Sequence, residues 1–266
     1  MTDSVRVEPR SDGRVAVLTL DRPPLNVLDL ATLAELERAV AGLTAGAAEG
    51  RPQVVVVRSA SPRAFSAGVA VQDHTPDRIQ GMLERFHGAL RRLRALPAVS
   101  VAAVAGHCLG GGMELALACD LVVAEEGARF AQPEIDLGCY PPFAAALYPA
   151  LVGPQRAFDL LATGRALTAA EAERWGLVSR LAPDGGLDAA VDELVETLLG
   201  KSAAVLALTK RACRAGDDEG PAEPGAFERA LEGSEEIYLA ELARTEDMEE
   251  GLAAFLEKRR PEWKHR

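Results

Sequence analysis

Apolar positions recur along this chain with two periods, and together they lay out its elements. Val15 to Leu20 alternates and stops at Asp21-Arg22-Pro23-Pro24, which predicts a strand closed by prolines that cannot extend a ladder. Asn26 follows in a turn. Leu30, Leu33, Leu36, Ala39 and Val40 repeat at helical spacing behind Asp29, a helix N-cap type, and predict a helix to about Leu43. After a loop over 46–52, the run 54–57 is continuously β-branched, as in strands buried on both faces. Next comes a small-residue loop, Ser61-Pro62-Arg63-Ala64-Phe65-Ser66-Ala67-Gly68-Val69. Ile79, Met82, Leu83, Phe86, Leu90 and Leu93 then share one face of a helix over 75–96, which Pro97 stops before a further β-branched run, Val99 to Val104. Strands alternating with helices at this spacing predict a parallel sheet with βαβ crossovers.

Further on, 120–124 and 128–131 read as two short strands around Glu125-Glu126-Gly127. They lead into a loop, 132–143, that holds Glu134 and Asp136 among apolar residues and is stiffened by Pro133, Pro141 and Pro142. Segments 144–152, 154–163 and 168–175 are helical in pattern, and 175–181 reads as a turn and an edge strand. From Leu187 the chain is helical and charged, with a break at 216–225 and amphipathic helices over 227–242 and 247–259 before Pro261. No internal repeat is visible, and Asp217-Asp218-Glu219 reads as a solvated loop.

The stretch 99–120 carries the most chemistry. Its strand breaks at Gly106, passes through Gly110-Gly111-Gly112 and resumes as a helix from Met113. Without Cβ atoms these glycines let a ligand approach the backbone, and the first amides of the helix lack intrahelical acceptors. Free N–H groups backed by a helix dipole favour a negatively charged oxygen. Glu114 lies among Met113, Leu115, Ala116, Leu117, Ala118 and Cys119, which circle the helix with apolar surface and predict burial. A carboxylate there is costly without a partner. Two readings stay open at this point: an acid that complements the dipole, or a carboxyl poised beside an oxyanion-binding turn.

Composition changes the picture mainly by exclusion. The chain has 266 residues, 48% hydrophobic and 26% charged, ordinary values for a soluble globular protein. Its net charge of −11 argues against nucleic acid or an anionic membrane as the main partner. No run approaches the roughly 20 apolar residues of a membrane span, and the opening Met-Thr-Asp-Ser-Val-Arg-Val-Glu lacks a signal-peptide core. Cys108, Cys119, Cys139 and Cys213 show neither a CxxC spacing nor a disulfide framework, so reduced thiols in the cytoplasm are expected. The histidines are too scattered for a metal site, and His107 is expected to pack or hydrogen-bond.

Other glycine-turn chemistries fail on residues. A GxGxxG pattern from Gly110 meets Leu115 where its last glycine belongs, and a P-loop meets Met113-Glu114 where Lys-Ser/Thr is required. No serine stands at a GxSxG elbow. What remains is a turn with free amides, an acid just inside a helix, and a second acid held in a proline-rich loop. Two carboxyl groups around one space can hold a water, one as base and the other as acid, and nearby amides can stabilise an oxyanion. That points to addition or proton transfer next to a carbonyl.

At these residues the chain resembles the crotonase superfamily, the enoyl-CoA hydratase and isomerase group. The resemblance runs from about Val15 to Trp263. It is carried by Asn26-Val27-Leu28, Ala64-Phe65-Ser66-Ala67-Gly68, the stretch from Ala105 through Gly110-Gly111-Gly112 to Leu115, Cys119-Asp120, Phe130-Ala131-Gln132-Pro133-Glu134, Leu137-Gly138, Ala172-Glu173-Arg174-Trp175-Gly176-Leu177-Val178, and the C-terminal stretch from Glu250-Gly251-Leu252 to Arg259.

The resemblance implies an α/β fold, a crotonase-like spiral of ββα repeats over 1–200, with a helical trimerisation region over 201–266. It implies that Glu114 and Glu134 are catalytic and that the amides of Val69 and Gly111 bind the thioester oxygen of an acyl-CoA. It also implies that Arg63, Ala64, Phe65, Ser66, Ala67, Gly110, Tyr140 and Phe143 contact substrate or coenzyme A, although Arg63 reads equally as a solvated surface residue. Retention of both acids implies addition of water across a 2,3 double bond, with double-bond isomerisation or non-catalytic acyl-CoA binding as alternatives. No metal and no cofactor beyond the substrate's coenzyme A are implied, and a homotrimer or homohexamer is. Two departures stand out. Ala70 occupies a place where relatives usually carry aspartate, so that residue's structural interaction is either missing or supplied by Asp73. Pro141-Pro142-Phe143 replaces a Gly-rich run, and with Ala67-Gly68-Val69 and His74 it resembles the cyclohexa-1,5-diene-1-carbonyl-CoA hydratase branch.

Overall fold

The computed structural model describes residues 3–44, 51–214 and 225–263. The expected loop over 46–52, up to position 50, and the break at 216–225 with Asp217-Asp218-Glu219, up to position 224, lie outside them. Strands β1 (Val5–Arg10), β2 (Val15–Leu20), β3 (Val54–Ser59), β5 (Val99–Val104), β7 (Leu121–Glu125) and β10 (Arg180–Ala182) form one sheet in the order β1-β2-β3-β5-β7-β10. Strands β4 (Ala64–Ser66), β6 (His107–Leu109), β8 (Arg129–Ala131) and β9 (Leu167–Thr168) form a second in that order. Among these strands of the described residues, the β1·β2 and β8·β9 pairs are antiparallel and the others parallel.

The chain builds both sheets at once. Each turn contributes a strand to the large sheet, then a strand to the small one, then a helix: β3, β4 and α2 (Ile79–Ala95); β5, β6 and α3 (Gly111–Ala118); β7, β8 and α4 (Pro142–Val152). The result is a spiral of ββα units. The single parallel sheet expected from periodicity is thus corrected to two sheets. The short strands of the second one have three residues each or fewer, too few to show a period. Strand β1 was not expected either, because four of its six residues are exposed on a sheet edge.

The β-branched runs are explained by two buried faces. Leu18, Leu20, Val55, Val57, Ala102 and Val104 point into the main core with helices α1 (Leu30–Thr44), α2 and α3. Their alternates Val15, Val17, Val54, Val56, Val99 and Val101 are covered by Val191, Leu194 and Val195 of α7 (Leu187–Leu199). Asp29 caps α1 by accepting from the Thr32 N–H at 2.9 Å. Asp73, buried beyond β4, accepts from the Leu30 N–H at 3.0 Å and so ties the loop after Ala70 to the start of α1. Helix α2 begins at Ile79, four residues later than expected, because 75–78 forms a turn in which the Arg78 and Ile79 N–H groups both donate to the Thr75 carbonyl at 2.9 Å. Helix α4 begins two residues earlier, with Pro142 in its first turn, where a missing N–H costs nothing.

The remaining helices are α5 (Pro154–Thr163), α6 (Ala169–Arg174), α8 (Ala203–Cys213), α9 (Ala226–Ala240) and α10 (Glu246–Glu257). The last two are built into the body of the molecule. Phe227, Leu231 and Tyr238 of α9 and Met248 of α10 belong to the main core. Gly251 of α10 lies so close to the turn at Pro133–Leu137 that a Cβ would sit 2.3 Å from the Leu137 carbonyl oxygen.

Candidate active site

Three parallel strands of the small sheet end side by side, and each delivers one part of a site. Strand β4 runs into Ala67-Gly68-Val69, β6 into Gly110-Gly111, and β8 into Gln132-Pro133-Glu134. Open parallel sheets bind ligands at such carboxyl ends. Here a cavity of about 470 Å³ opens, lined by Val69, Gly110, Gly111, Glu114 and Glu134 among others.

The backbone of the first two loops is held for close approach. Leu28 donates to the Gly68 carbonyl at 2.9 Å, and Ala70 donates to the Leu28 carbonyl at 3.0 Å. This alternation turns the N–H of Val69 to the side of its strand away from Leu28. Gly111 is the first residue of α3, so its N–H has no intrahelical acceptor. A Cβ on Gly68, where φ is +91°, would lie 2.9 Å from the Leu109 oxygen and 3.2 Å from the Gly111 nitrogen. One on Gly111 would lie 2.8 Å from Val69 Cγ2. Only glycine at these positions lets the two loops meet.

The carboxyl groups enter the same cavity from different elements. Glu114, one turn into α3 and 3% exposed, accepts from the Ala144 N–H at 2.9 Å. Burial raises its pKa, while the nearby His87 and the amides of Ala144 and Phe143 pull the other way. Glu134 stands half-buried in the 3-10 turn Pro133–Leu137. Burial pushes its pKa well above the usual carboxylate range, and the charge of Glu114 pushes in the same direction. A Cβ on Gly110 would lie 2.6 Å from Glu134 Oε1, so the acid rests against the glycine turn.

Of the other residues singled out from sequence, Ala67, Gly110 and Tyr140 line the cavity. The Tyr140 hydroxyl donates to the Ser234 carbonyl at 2.7 Å. Arg63, Ala64, Phe65, Ser66 and Phe143 do not line it. Arg63 is on the surface, and Ala64 and Phe65 are fully buried. The Ser66 hydroxyl donates to the Asn26 carbonyl at 2.7 Å and accepts from the Gly68 N–H at 3.1 Å, so it shapes the loop from beneath. Phe143 packs in the core between His87 and Phe227, with ring centroids 5.9 and 5.2 Å away. His107 is exposed on β6 and contributes its backbone to the sheet; its expected packing role is corrected by that position.

Sequence reasoning gave no role to Gln132. It is fully buried, and its amide oriented by the surrounding network accepts from Tyr148 OH at 2.5 Å while its nitrogen lies 3.1 Å from Glu134 Oε2 and 3.3 Å from the Gly110 carbonyl. A polar residue between Ala131 and Pro133, directly after an apolar strand, was the available signal. His87 and the C-terminal residues Tyr238, Gly251 and Phe255 also line the cavity and were likewise missed.

Comparison with known proteins agrees with this geometry. The enoyl-CoA hydratase/isomerase family profile matches residues 10–266. A cyclohexa-1,5-dienecarbonyl-CoA hydratase of Thauera aromatica is 38% identical over 255 residues, 96% of this chain and 95% of its own. A probable enoyl-CoA hydratase of Rhizobium meliloti (strain 1021) is 39% identical over 260 residues, 96% of each. The crystal structure of carnitinyl-CoA hydratase from Mycobacterium avium superposes with a TM-score of 0.85 at 31% identity over 100% of both chains. With its ββα spiral, its glycine turn and this similarity over nearly its whole length, the chain belongs to the enoyl-CoA hydratase/isomerase family of the crotonase superfamily.

Proposed function

We propose that this chain is a hydratase that adds water across the 2,3 double bond of an enoyl-CoA thioester, with Glu114 and Glu134 as the acid–base pair and the amides of Val69 and Gly111 as the oxyanion hole. The observation that carries this reading is that two carboxyl groups with raised pKa line one cavity together with the glycine turn. Burial raises both carboxyls, and the charge of Glu114 raises Glu134 further, so the pair resists ionising together, which favours one acid and one base. The base takes a proton from water as its oxygen bonds to C3. The thioester oxygen then carries enolate charge, and the acid delivers a proton to C2 as the carbonyl reforms. Amides preset on that oxygen act only as charge develops, and loss of one such donor typically costs about 10²- to 10³-fold in rate.

For the acyl group we propose a cyclic dienoyl-CoA. The support is the Thauera aromatica relative and the double proline, since Pro141 and Pro142 form a rigid wall of the cavity. We also propose a homotrimer or a pair of trimers, supported by exposed apolar side chains on the helical periphery, Phe158 of α5 at 73% and Val205 and Leu208 of α8 at 60% and 58%. A cytoplasmic setting fits the free thiols, and no helix among the described residues is long and apolar enough to cross a membrane.

The test is a panel of linear and cyclic enoyl-CoAs in ¹⁸O-labelled water, followed by loss of the conjugated thioester absorbance. Absorbance loss with label in the product is expected. Double-bond migration without label would make the enzyme an isomerase. Silence on every substrate, with acyl-CoA binding intact, would leave only a binding role.

A further inference from the structure

The wall of the cavity contains a polar atom that the hydration chemistry does not use. His87 lies on α2, is 1% exposed, and lines the cavity beside Met82, Leu83 and Phe86 of the same helix. Its Nδ1 is hydrogen-bonded to Oε1 of Glu235, which reaches in from α9 and is itself paired with Arg91. Its Nε2 is buried and has no hydrogen-bond partner among the described residues. A buried nitrogen left without a partner is unfavourable, so a polar group of the bound ligand would stabilise it. The ring is also fixed: Phe86 and Phe143 flank it, each with its ring centroid 5.9 Å away. A histidine held at one nitrogen by a carboxylate and left open at the other, in a wall of aliphatic and aromatic side chains, is built to read one polar atom of whatever fills the cavity.

We propose that His87 is a specificity-determining residue whose Nε2 hydrogen-bonds a hydroxyl group on the acyl moiety beyond the reacting carbons, so that within the cyclic enoyl-CoA class proposed above a member carrying a further hydroxyl is preferred. The choice of hydroxyl follows from the ring's two protonation states. When His87 is neutral, with its Nδ1–H donating to Glu235, Nε2 accepts a hydrogen bond. When it is an imidazolium paired with Glu235, Nε2 donates one. A hydroxyl satisfies both states, whereas a carbonyl oxygen satisfies only the second and an apolar group neither. The inference rests on the acyl-CoA reading of this cavity.

The experiment uses pairs of 2-enoyl-CoAs that differ by a single hydroxyl beyond C3, with the full-length enzyme and its His87→Leu, His87→Gln and Glu235→Gln variants, all checked for folding by circular dichroism. The wild type is expected to favour the hydroxylated member by about tenfold or more in kcat/KM, with the difference in KM, since this contact is equal in ground and transition states. His87→Leu is expected to bring that ratio to about one. His87→Gln, whose amide sits near the Nε2 position and both donates and accepts, is expected to keep most of it. Glu235→Gln is expected to lower it, because the ring loses its anchor. A wild-type ratio near one, or a ratio that survives His87→Leu, overturns the proposal. If His87→Leu does not fold, a Glu235→Gln ratio equal to that of wild type overturns it instead. If no enoyl-CoA is hydrated, it is the hydratase reading that fails. The same pairs as saturated, unreactive thioesters, measured by calorimetry, then test His87 alone, and equal Kd values within each pair reject it.

Discussion

Glu134 illustrates how one side chain ties stability to function. Its pKa is raised in the folded chain, by burial first and by Glu114 second, so the folded state keeps a proton that the unfolded state sheds. For a carboxyl shifted upward, the stabilising contribution is complete below the unfolded pKa and is lost as pH rises through the folded one. Stability should therefore fall with rising pH across that window. Glu134→Gln removes the titration, and thermal melts across a pH series are expected to show a flatter profile and a higher Tm at neutral pH. The same variant should lose about 10²- to 10⁴-fold in kcat. A melt series indistinguishable from wild type would mean that the carboxyl is not desolvated. Gln132, which bridges this acid to Tyr148, would be invisible to any reading that stops at residues with obvious chemistry.

At the scale of elements, the site depends on separate pieces approaching to van der Waals distance. Helix α10 presses Gly251 against Leu137, and the turn in that contact holds Glu134. Gly251→Ala would place a methyl 2.3 Å from the Leu137 oxygen, backbone that has no rotamer with which to yield. Overpacking of this kind costs about 1–3 kcal/mol. We expect a lowered Tm together with a kcat reduced more than tenfold and a smaller change in KM, because the acid moves while the oxyanion loops stay. Steady-state kinetics and a melt on one sample check it, and unchanged kcat would show that α10 does not position the turn. Gly111 makes the corresponding contact with Val69, between the two loops that meet over the thioester in the proposed mechanism.

For the whole molecule, the question is what covers the apolar side chains left outside. Phe158 at 73% exposure, with Val205 and Leu208 of α8 and Phe255 and Leu256 of α10, leaves apolar surface on several helices. Asp120 shows how firmly α8 itself is attached: it accepts from Lys210 at 2.7 Å and from Arg214 at 2.6 Å, fastening the helix to the start of β7. A helix held this way presents its outer face in a fixed orientation, as an interface requires. Sedimentation of the wild type is expected to give a trimer or a pair of trimers, and Phe158→Asp is expected to shift it toward smaller species. A monomeric wild type would refute the assembly.

The linear chain by itself determined the helices and the long interior strands, though not the edge strand β1, because an apolar period or a β-branched run needs no distant partner to be legible; α1, β3, β5 and α2 all follow from spacing. It also exposed the glycine turn and the improbable acid beside it, since free amides and a carboxylate among apolar residues are properties of a short segment. It even contained the position of His87, which falls four residues after Leu83 and three before Leu90, inside the apolar stripe of α2. Only the tertiary structure decided the rest. Strands β4, β6 and β8 exist as strands because they lie beside one another, and their shared ends bring Val69, Gly111 and Glu134 to one cavity. The carboxylate that clamps His87 comes from 148 positions away, and the helix that holds the turn of Glu134 is the last in the chain. Separations of that length leave no trace in local periodicity, because what selects the partners is shape and charge across a closed interior.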